Sequence, residues 1–380
     1  MQKILIMNNE MGVGGTEKVL LTLLKYIDKT KFDVTLLLLA PGDEWENLIP
    51  KEVKIKYIFR KNPQSYNKVY KLLYRYCIIF GPSSLIRKLI FNETYETYDT
   101  CIAFKECMID YLVDKNAKNY CWIHQDYANE EKSKGLIKNL LKHKIEHVRR
   151  KKFMKCEKIV CVSETCKISF LNKYQIPREK VLCRYNPNDV DEIRKLGNEK
   201  IGRKIDIDVP IMCAVGRVEP VKAYDRLINI AKKLKEEKID FRLIIVGNGS
   251  LYNDILEMVK TYNLEDIVWL TGFQSNPYKY ISKSDLLVCS SISEAFSTVA
   301  TEAIILGIPV ITTLCAGMEE LLGDKSGLIT RNDEESLYIG IKKVLTDKKI
   351  LKDMKEAANK RKNDFVTQVT VKKIEELFVK

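Results

Sequence analysis

Two glutamates in the segment Ser290–Thr313 have a spacing suited to a ligand rich in hydroxyl groups. The segment SSISEAFSTVATEAIILGIPVITT contains Glu294 and Glu302, which have seven residues between them. The apolar residues Leu286–Cys289 predict a strand, and Ala295–Leu306 predicts a helix. One carboxylate is then expected at the carboxyl edge of a sheet and the other about two turns further on. A helix N-terminus favours an anion, so this segment predicts a site for a nucleotide sugar.

A second segment places two cations on one loop. In AVGRVEPVKA, Gly216 follows the predicted strand Ile211–Val215, and Arg217 and Lys222 stand five residues apart before a predicted helix. A forked guanidinium and a compact ammonium together can hold a diphosphate and stabilise its charge as it leaves. A solvated basic loop is the alternative interpretation of the same pattern.

Two glycine-rich turns also follow predicted strands. MGVGGTE contains Gly12, Gly14 and Gly15 and opens a helix, and RLIIVGNGS contains Gly247 and Gly249. Glycine permits tight backbone curvature and a close approach of a ligand, and the helix start can take a phosphate. An ordinary turn at the end of a strand would use similar glycines.

One of the chain's three histidines and one aromatic residue stand just past predicted strands. His124 lies in YCWIHQDY, where Asp126 is in place to orient neighbouring groups. A structural role for this histidine remains the alternative. Phe273 ends the strand-terminating segment TGF, which carries no visible preference for a base.

These segments resemble the retaining glycosyltransferases of the GT-B fold, of family 4 type, whose hallmark is E-x₇-E. EAFST-x₃-E is close to the subfamily form EGFST-x₃-E, with Ala295 in place of a glycine. GRVEPVKA resembles the G-R-L-x₃-K-G loop, with Ala223 in place of the last glycine. MGVGGTE is similar to the GG-[TA]-E loop. CAGMEELL is similar to the G-G-x-x-E turn with Glu320 in the acidic position, but helix packing explains it nearly as well.

The resemblance implies a fold, a reaction and a site. The fold is α/β, GT-B, with two Rossmann-like doubly wound parallel-sheet domains that face each other across a cleft. Glu294 is expected to hold hydroxyls of the donor sugar and Glu302 the ribose, while Arg217 and Lys222 bind the diphosphate and His124 faces the transferred sugar. The catalytic set is Glu294, His124, Arg217 and Lys222. The donor-binding set is Gly14, Gly15, Gly216, Arg217, Lys222, Gly247, Phe273, Glu294, Phe296, Ser297, Thr298 and Glu302.

The implied reaction moves a sugar from a nucleotide-diphosphate donor to a hydroxyl of a glycan or lipid-linked acceptor, with retention, in cell-surface polysaccharide synthesis. UDP is expected because it is the commoner donor nucleotide. No metal or other cofactor is expected, because the two cations take over a metal's electrostatic role. A sugar-nucleotide epimerase or a phosphorylase on the same fold is the alternative enzyme. A basic nucleic-acid-binding protein is the alternative of a different class.

Length and patterning predict a two-domain α/β protein. The 380 residues alternate strand and helix patterns, which favours parallel sheets. We expect an N-terminal acceptor-side domain over residues 1–189, a C-terminal nucleotide-sugar domain over 190–361, and a C-terminal helix, Lys348–Lys380, whose end from about 362 packs back on the first domain. The predicted strands are Lys3–Met7, Val34–Leu39, Thr100–Phe104, Tyr120–Ile123, Lys158–Val162, Ile211–Val215, Arg242–Val246, Ile267–Leu270, Leu286–Cys289 and Val310–Thr313.

The positive charge is concentrated in the first half. Residues 1–190 hold 34 basic and 22 acidic side chains, whereas residues 191–380 hold 30 and 29. The basic segments 62–92 and 132–158 contain aromatic and aliphatic residues, a mixture that suits an anionic membrane surface. Nucleic acid or a solvated face is the alternative, and we expect a membrane rather than nucleic acid as the partner.

No apolar run reaches the roughly 18 residues of a membrane helix, and the N-terminus has no signal-peptide pattern. The eleven cysteines are therefore expected to be reduced core thiols of a cytoplasmic protein, peripheral on the inner face of the cell membrane.

Two apparent metal motifs are set aside. D-x-D occurs at Asp189–Asp191 and Asp206–Asp208, both in the presumed interdomain region, where solvated loops are expected. His143 and His147 have a chelating spacing, but their basic surroundings repel a cation.

Overall fold

The described part of the chain forms two parallel β-sheets, each in its own unit. The structure is a computed structural model that describes residues 1–58, 68–69, 72, 97–111, 116–128, 136–202 and 208–379. Unit 1 comprises Met1–Pro187 together with Thr367–Lys380, and unit 2 comprises Asn188–Val366. The predicted domain boundaries, after residues 189 and 361, lie within a few residues of these divisions.

The elements alternate along the chain as expected for an α/β protein. The strands are β1 (Gln2–Met7), β2 (Phe32–Leu38), β3 (Lys54–Tyr57), β4 (Thr100–Ala103), β5 (Lys118–Ile123), β6 (Lys158–Cys161), β7 (Val181–Cys183), β8 (Ile211–Val215), β9 (Arg242–Val246), β10 (Val268–Leu270), β11 (Leu286–Cys289), β12 (Val310–Thr313) and β13 (Gly327–Thr330). The α-helices are α1 (Gly15–Tyr26), α2 (Leu136–Phe153), α3 (Glu164–Tyr174), α4 (Val190–Gly197), α5 (Tyr224–Glu236), α6 (Tyr252–Thr261), α7 (Tyr278–Ile281), α8 (Thr298–Ile305), α9 (Met318–Leu322), α10 (Glu334–Thr346), α11 (Lys348–Arg361) and α12 (Thr367–Glu375). Short 3₁₀ helices cover Glu46–Leu48, Glu106–Tyr111, Arg178–Lys180, Pro220–Lys222 and Lys362–Asp364.

Each sheet has a doubly wound strand order. Unit 1 has the order β3-β2-β1-β4-β5-β6-β7, and unit 2 has β10-β9-β8-β11-β12-β13. The paired strands are parallel throughout. The order reverses between β1 and β4 in unit 1 and between β8 and β11 in unit 2. Ligands of open α/β sheets bind outside the carboxyl ends of the strands at such reversals.

The sheet of unit 2 is buried on both faces. Met212 and Ala214 of β8 pack into one hydrophobic cluster with Leu227 of α5. Cys213, between them in sequence, packs into another with Ile304 of α8. Successive side chains of a strand point to opposite faces, so helices cover both sides of the sheet. This explains why the strands are continuous apolar runs in the sequence.

The chain's last segment packs on unit 1, and the predicted long C-terminal helix is in fact interrupted. Lys348–Lys380 forms α11 and α12, separated by the 3₁₀ turn Lys362–Asp364 and a short loop. Phe378 is fully buried, and its ring lies edge-on to Phe32 and Tyr120, with centroids 6.1 and 5.7 Å away. The Tyr120 hydroxyl donates a hydrogen bond to the Leu377 carbonyl.

The basic segments are only partly described. Of residues 62–92, the structure describes 68–69 and 72 alone, so this predicted membrane-facing segment lies mostly outside the described residues. In α2, Arg150 is engaged within the unit, because its guanidinium donates to the carbonyls of Tyr174 and Gln175 at the end of α3. No helix within the described ranges combines the length and apolarity needed to cross a membrane.

Candidate active site

In unit 2 the loops on both sides of the strand-order reversal meet through an ion pair. The Lys222 Nζ, on the loop after β8, lies 2.6 Å from Glu294 Oε1, on the loop after β11. The Ser291 hydroxyl donates to the same oxygen at 2.7 Å. Both charged side chains are largely buried, with exposed fractions of 23% for Lys222 and 15% for Glu294. Two residues chosen from separate motifs therefore form one cluster.

The loop that carries Glu294 is fixed by hydrogen bonds to two other loops, which follow β8 and β13. The Ser290 hydroxyl donates to the Lys222 carbonyl at 2.7 Å, and the Ile292 amide donates to the Val221 carbonyl at 2.8 Å. The Asn332 Nδ2, after β13, donates to the Ile292 carbonyl at 2.7 Å. These contacts hold the ammonium and the carboxylate in a defined register.

Arg217 differs from Lys222 in its environment. Its side chain is exposed, and within the described chain its guanidinium forms no hydrogen bond. Gly216, just before it, has a φ of 151°, a conformation that favours glycine. The loop thus carries two cations in different surroundings. The Arg217 guanidinium forms no hydrogen bond in the described chain, whereas the Lys222 ammonium is paired with Glu294.

Gly247 and Gly249 are required by the neighbouring backbone itself. A Cβ on Gly247, whose φ is 149°, would overlap the Gly216 carbonyl oxygen, and a Cβ on Gly249 would overlap the backbone of Val218. The Gly216 amide donates to the Val246 carbonyl at 3.0 Å, and the Val218 amide donates to the Asn248 carbonyl at 3.0 Å. The close approach of two strand-ending loops accounts for these glycines without a ligand. The donor-binding role of Gly247 stays a prediction.

The helix after Glu294 begins three residues later than predicted. It starts at Thr298, because the Ser297 hydroxyl accepts a hydrogen bond from the Ala300 amide at 3.3 Å and caps it. Phe296 is partly buried against the core on this side of the sheet. Glu294 to Ser297 are therefore loop residues, and Thr298 opens the helix with its amide directed towards the carboxyl edge.

Glu302 and Phe273 stand in opposite surroundings. Glu302 is 1% exposed and accepts a hydrogen bond from the Tyr278 hydroxyl at 3.3 Å, so it belongs to the interior of the unit. Phe273 follows β10 and is 58% exposed. The Gly272 carbonyl beside it accepts from the Gly247 amide, which ties this loop to the glycine turn after β9. Their predicted contacts with ribose and base stay predictions.

In unit 1 the reversal is also bridged by an ion pair, which the sequence did not indicate. Lys105, after β4, forms a short ion pair with Glu17 in the first turn of α1, and Glu10 lies 3.9 Å from the same ammonium. The exposed fractions of the Lys105 and Glu17 side chains are 21% and 7%. A Cβ on Gly14, the N-cap residue of α1, would meet the end of the Glu17 side chain, which would have to shift. Gly15 begins the helix.

His124 lies on the same edge as this pair, after β5. Burial and the nearby Lys105 ammonium lower its pKa to about 3, against a smaller opposing effect of its hydrogen bond to the Phe104 backbone. The imidazole is therefore neutral at physiological pH. Its Nε2 is inaccessible and has no hydrogen-bond partner among the described residues, so the backbone bond falls to Nδ1. Nε2 then carries a lone pair and can only accept.

The two motifs set aside as metal sites have structural uses where they are described. The Asp189 carboxylate caps α4 by accepting from the Glu192 amide at 3.2 Å. Asp206 lies outside the described residues, as does the side chain of His143, and His147 is exposed.

Glu320 is part of α9, and its carbonyl accepts from Arg361 at 2.9 Å. The ten cysteines that the structure covers are free thiols.

Comparison with known families matches both halves of the chain. The family described as Glycosyltransferase Family 4 matches residues 13–192, and the family described as Glycosyl transferases group 1 matches residues 198–361. The chain belongs to these glycosyltransferases. The family and the GT-B fold predicted from E-x₇-E are thereby confirmed.

One relative and one solved structure resemble this glycosyltransferase over most of its length, and a second relative resembles it over less than half. An N-acetylgalactosamine-N,N'-diacetylbacillosaminyl-diphospho-undecaprenol 4-alpha-N-acetylgalactosaminyltransferase of Campylobacter jejuni is 29% identical over 370 residues, 96% of each chain. An N-acetyl-alpha-D-glucosaminyl L-malate synthase of Bacillus anthracis is 28% identical over 177 residues, 46% of this chain and 44% of the relative. The crystal structure of Anabaena HepE with UDP-glucose has the same fold, with a TM-score of 0.72, 17% identity and 99% of each chain covered.

Proposed function

We propose that this glycosyltransferase moves a sugar from a UDP-sugar to a hydroxyl of a lipid-linked glycan, with retention of the anomeric configuration, in cell-surface polysaccharide synthesis. The observation that carries the proposal is the Lys222–Glu294 pair at the strand-order reversal of unit 2, with Arg217 on the same loop as Lys222. Two cations beside a carboxylate that can accept hydroxyls match a phosphorylated sugar better than any ligand of a single charge type.

Each group of the cluster has a distinct role. Arg217 and Lys222 bind the two phosphates and stabilise the negative charge that develops as the nucleoside diphosphate leaves. Glu294 accepts hydrogen bonds from the sugar's hydroxyls and fixes the ring against the leaving group. The departing phosphate oxygen takes the proton of the attacking hydroxyl on the same face of the sugar. The predicted contact of His124 with the transferred sugar stays a prediction.

The names of the relatives support a donor and an acceptor to test first. The Campylobacter relative is named for transfer of N-acetylgalactosamine in an alpha linkage to a diphospho-undecaprenol glycan, and the Bacillus relative for an N-acetylglucosaminyl product. UDP-N-acetylhexosamines are alpha-linked, so an alpha product corresponds to retention. We therefore propose a UDP-N-acetylhexosamine donor and a polyprenyl-diphosphate-linked acceptor.

The remaining parts of the proposal concern metal and membrane. Two protein cations at the diphosphate can supply the electrostatic stabilisation of a divalent ion, and the proposed reaction needs none. A polyprenyl acceptor resides in a membrane, and the basic surplus of the first half of the chain suits an anionic inner leaflet. We propose a peripheral position at the cytoplasmic face of the membrane.

The test is transfer in EDTA from radiolabelled UDP-N-acetylgalactosamine, UDP-N-acetylglucosamine and UDP-glucose to polyprenyl-diphosphate-linked acceptors. Lys222→Ala should lower kcat/KM by about 10²- to 10³-fold, as expected for the loss of a transition-state charge partner. Lys260→Ala, at an exposed position of α6, is the matched control and should transfer like wild type. Anomeric coupling in the product's NMR spectrum reports retention.

Two results would contradict parts of this proposal separately. Wild-type transfer by both Lys222→Ala and Glu294→Ala would remove the site assignment. Transfer that requires an added divalent ion would remove the metal-independent mechanism and leave the donor and acceptor in place.

A further inference from the structure

Lys222 has an anionic partner within the chain itself. The ammonium lies 2.6 Å from Glu294 Oε1, which also accepts from Ser291, whereas Oε2 of the same carboxylate accepts no hydrogen bond in the described chain. Arg217, on the same loop, is exposed and has no such partner. Of the two cations proposed to bind the diphosphate, Lys222 is therefore paired with a carboxylate and Arg217 is exposed to solvent.

We propose that the Lys222–Glu294 ion pair competes with the diphosphate, and that this competition makes the site prefer a nucleotide sugar over the free nucleoside diphosphate. The proposal rests on the proposed function, since it concerns the ligand of the same site. It gives Glu294 a specificity-determining role in addition to its contact with the sugar.

The competition follows from counting charges around one ammonium. A nucleoside diphosphate that binds Lys222 places a phosphate beside the Glu294 carboxylate, so two anions share one cation and repel each other. A nucleotide sugar brings hydroxyls that donate to the carboxylate at both Oε1 and the open Oε2. Those bonds replace the lost ammonium, and Lys222 can turn to the phosphate without leaving Glu294 unpartnered.

The same pair would assist product release. Once the sugar has been transferred, the hydroxyls that satisfied Glu294 leave with the product. The carboxylate then recovers Lys222, and the nucleoside diphosphate loses one of its two cations. In the described chain no carboxylate lies at hydrogen-bond distance from Arg217, and its longer-range attraction to Glu219 is the same for both ligands.

The experiment is calorimetric titration of UDP and of UDP-N-acetylgalactosamine into the full chain, in EDTA, for wild type and Glu294→Gln. Glutamine keeps the size of the side chain and removes its charge. We expect Glu294→Gln to bind UDP about tenfold more tightly than wild type, because Lys222 no longer has to leave a charged partner to bind the phosphate. UDP-N-acetylgalactosamine should bind Glu294→Gln more weakly, so that the preference between the two ligands reverses.

Two controls separate the ion pair from general charge. Glu219→Gln removes a carboxylate from the same loop that bonds Ser250 rather than Lys222, and it should change UDP affinity by no more than about twofold. In a Lys222→Met background, UDP should bind more weakly, and adding Glu294→Gln should restore little. A tenfold gain that persists without Lys222 would show simple repulsion and overturn the proposal.

The outcomes distinguish this proposal from the proposed function. Weaker UDP binding by Glu294→Gln would mean that Glu294 holds Lys222 ready for the phosphate, and the competition would be refuted while the donor site stood. Failure of wild type and of every variant to bind UDP or GDP would overturn the donor site and this proposal together.

Discussion

The two units place an ion pair at the same topological position with the charges exchanged. In unit 2 the lysine, Lys222, is on the loop after the first strand of the reversal, and the carboxylate, Glu294, follows the neighbouring strand. In unit 1 the carboxylate, Glu17, opens the helix after the first strand, and the lysine, Lys105, follows the neighbour. The doubly wound sheet supplies the position, and the loops alone decide which charge stands where.

The neighbours of each pair give the two edges different chemistry. In unit 2 an exposed guanidinium, Arg217, lies on the lysine's own loop, which favours an anion. In unit 1 the neighbour is His124, whose pKa burial and Lys105 hold far below its usual value. A buried neutral imidazole adds no positive charge to its edge. One sheet architecture thus yields one edge with an exposed cation and another whose histidine is buried and neutral.

The strongest test of the comparison is to remove the lysine from each pair. Lys105→Met leaves the 7% exposed Glu17 carboxylate without its partner, whereas Lys222→Met leaves Glu294 with greater exposure and the Ser291 hydroxyl. We expect Lys105→Met to lower the free energy of unfolding of unit 1 by about 2–3 kcal/mol, somewhat less than for a fully buried pair. Lys222→Met should cost about 1 kcal/mol or less.

Urea unfolding followed by tryptophan fluorescence can assign each loss to its unit. Trp45 and Trp122 belong to unit 1 and Trp269 to unit 2, so substitution of Trp269 by Phe isolates unit 1. Lys167→Met, whose partner Glu164 is 51% exposed, is the control and should cost under about 1 kcal/mol. Equal losses for Lys105→Met and Lys222→Met would erase the distinction drawn between the two edges.

The sequence predicted the central strands and one edge strand, β10, and missed the other three edge strands. Each of the ten predicted strands overlaps an observed one, because strands buried on both faces are continuous apolar runs. The missed strands, β3, β7 and β13, all lie at the edge of a sheet. An edge strand pairs on one side only and is short or polar, as KIKY of β3 is, so periodicity gives no signal for it. The break before α12 was missed for a related reason, since Phe365 and Val366 keep the apolar pattern through the loop.

The candidate site divides in the same way. Arg217, Lys222 and Glu294 were found because their local motifs carry them. The Glu17–Lys105 pair was not, because its members are 88 residues apart and no local pattern links them. The sequence offered a signal for Glu17 alone, because Glu17 is the acidic residue of the GGTE motif. Gly247 and Gly249 were noticed in the sequence, but their structural reason was not. Only the structure shows that the backbone of a neighbouring loop lies where a Cβ would be at these positions.

A pH titration of stability sharpens the description of the unit 1 edge. The pKa of His124 falls from 6.5 to about 3 on folding, so the unfolded chain binds the extra proton between these values. The stability contributed by neutral His124 is complete above about pH 6.5 and is lost as the pH falls towards 3. Between pH 7 and pH 5 the free energy of unfolding of unit 1 should fall by about 1–2 kcal/mol more in wild type than in His124→Gln.

The measurement is urea unfolding at several pH values in the Trp269→Phe background. His147→Gln, at an exposed position of α2, is the matched control and should retain the wild-type pH dependence. A His124→Gln profile as steep as that of wild type would mean that this imidazole is protonated in the folded chain, and the contrast with the cationic edge of unit 2 would then disappear.

The smallest expected effect concerns the N-cap residues of α1 in unit 1 and α5 in unit 2. The N-cap of α1 is Gly14 in an extended conformation, whereas the N-cap of α5 is Ala223 in the left-handed region, with φ 48° and ψ 49°. Ala223→Gly should relieve about 1–2 kcal/mol of backbone strain. It should lose a similar amount through the buried methyl group and the greater freedom of the unfolded chain. We expect the free energy of unfolding of unit 2 to change by less than about 0.5 kcal/mol.

Ala231→Gly, within α5, is the control and should lower the free energy of unfolding of unit 2 by about 1–2 kcal/mol. Equal losses at the two positions, measured by the fluorescence of Trp269, would mean that the backbone at Ala223 carries no strain and that its alanine stabilises the loop after β8 through packing.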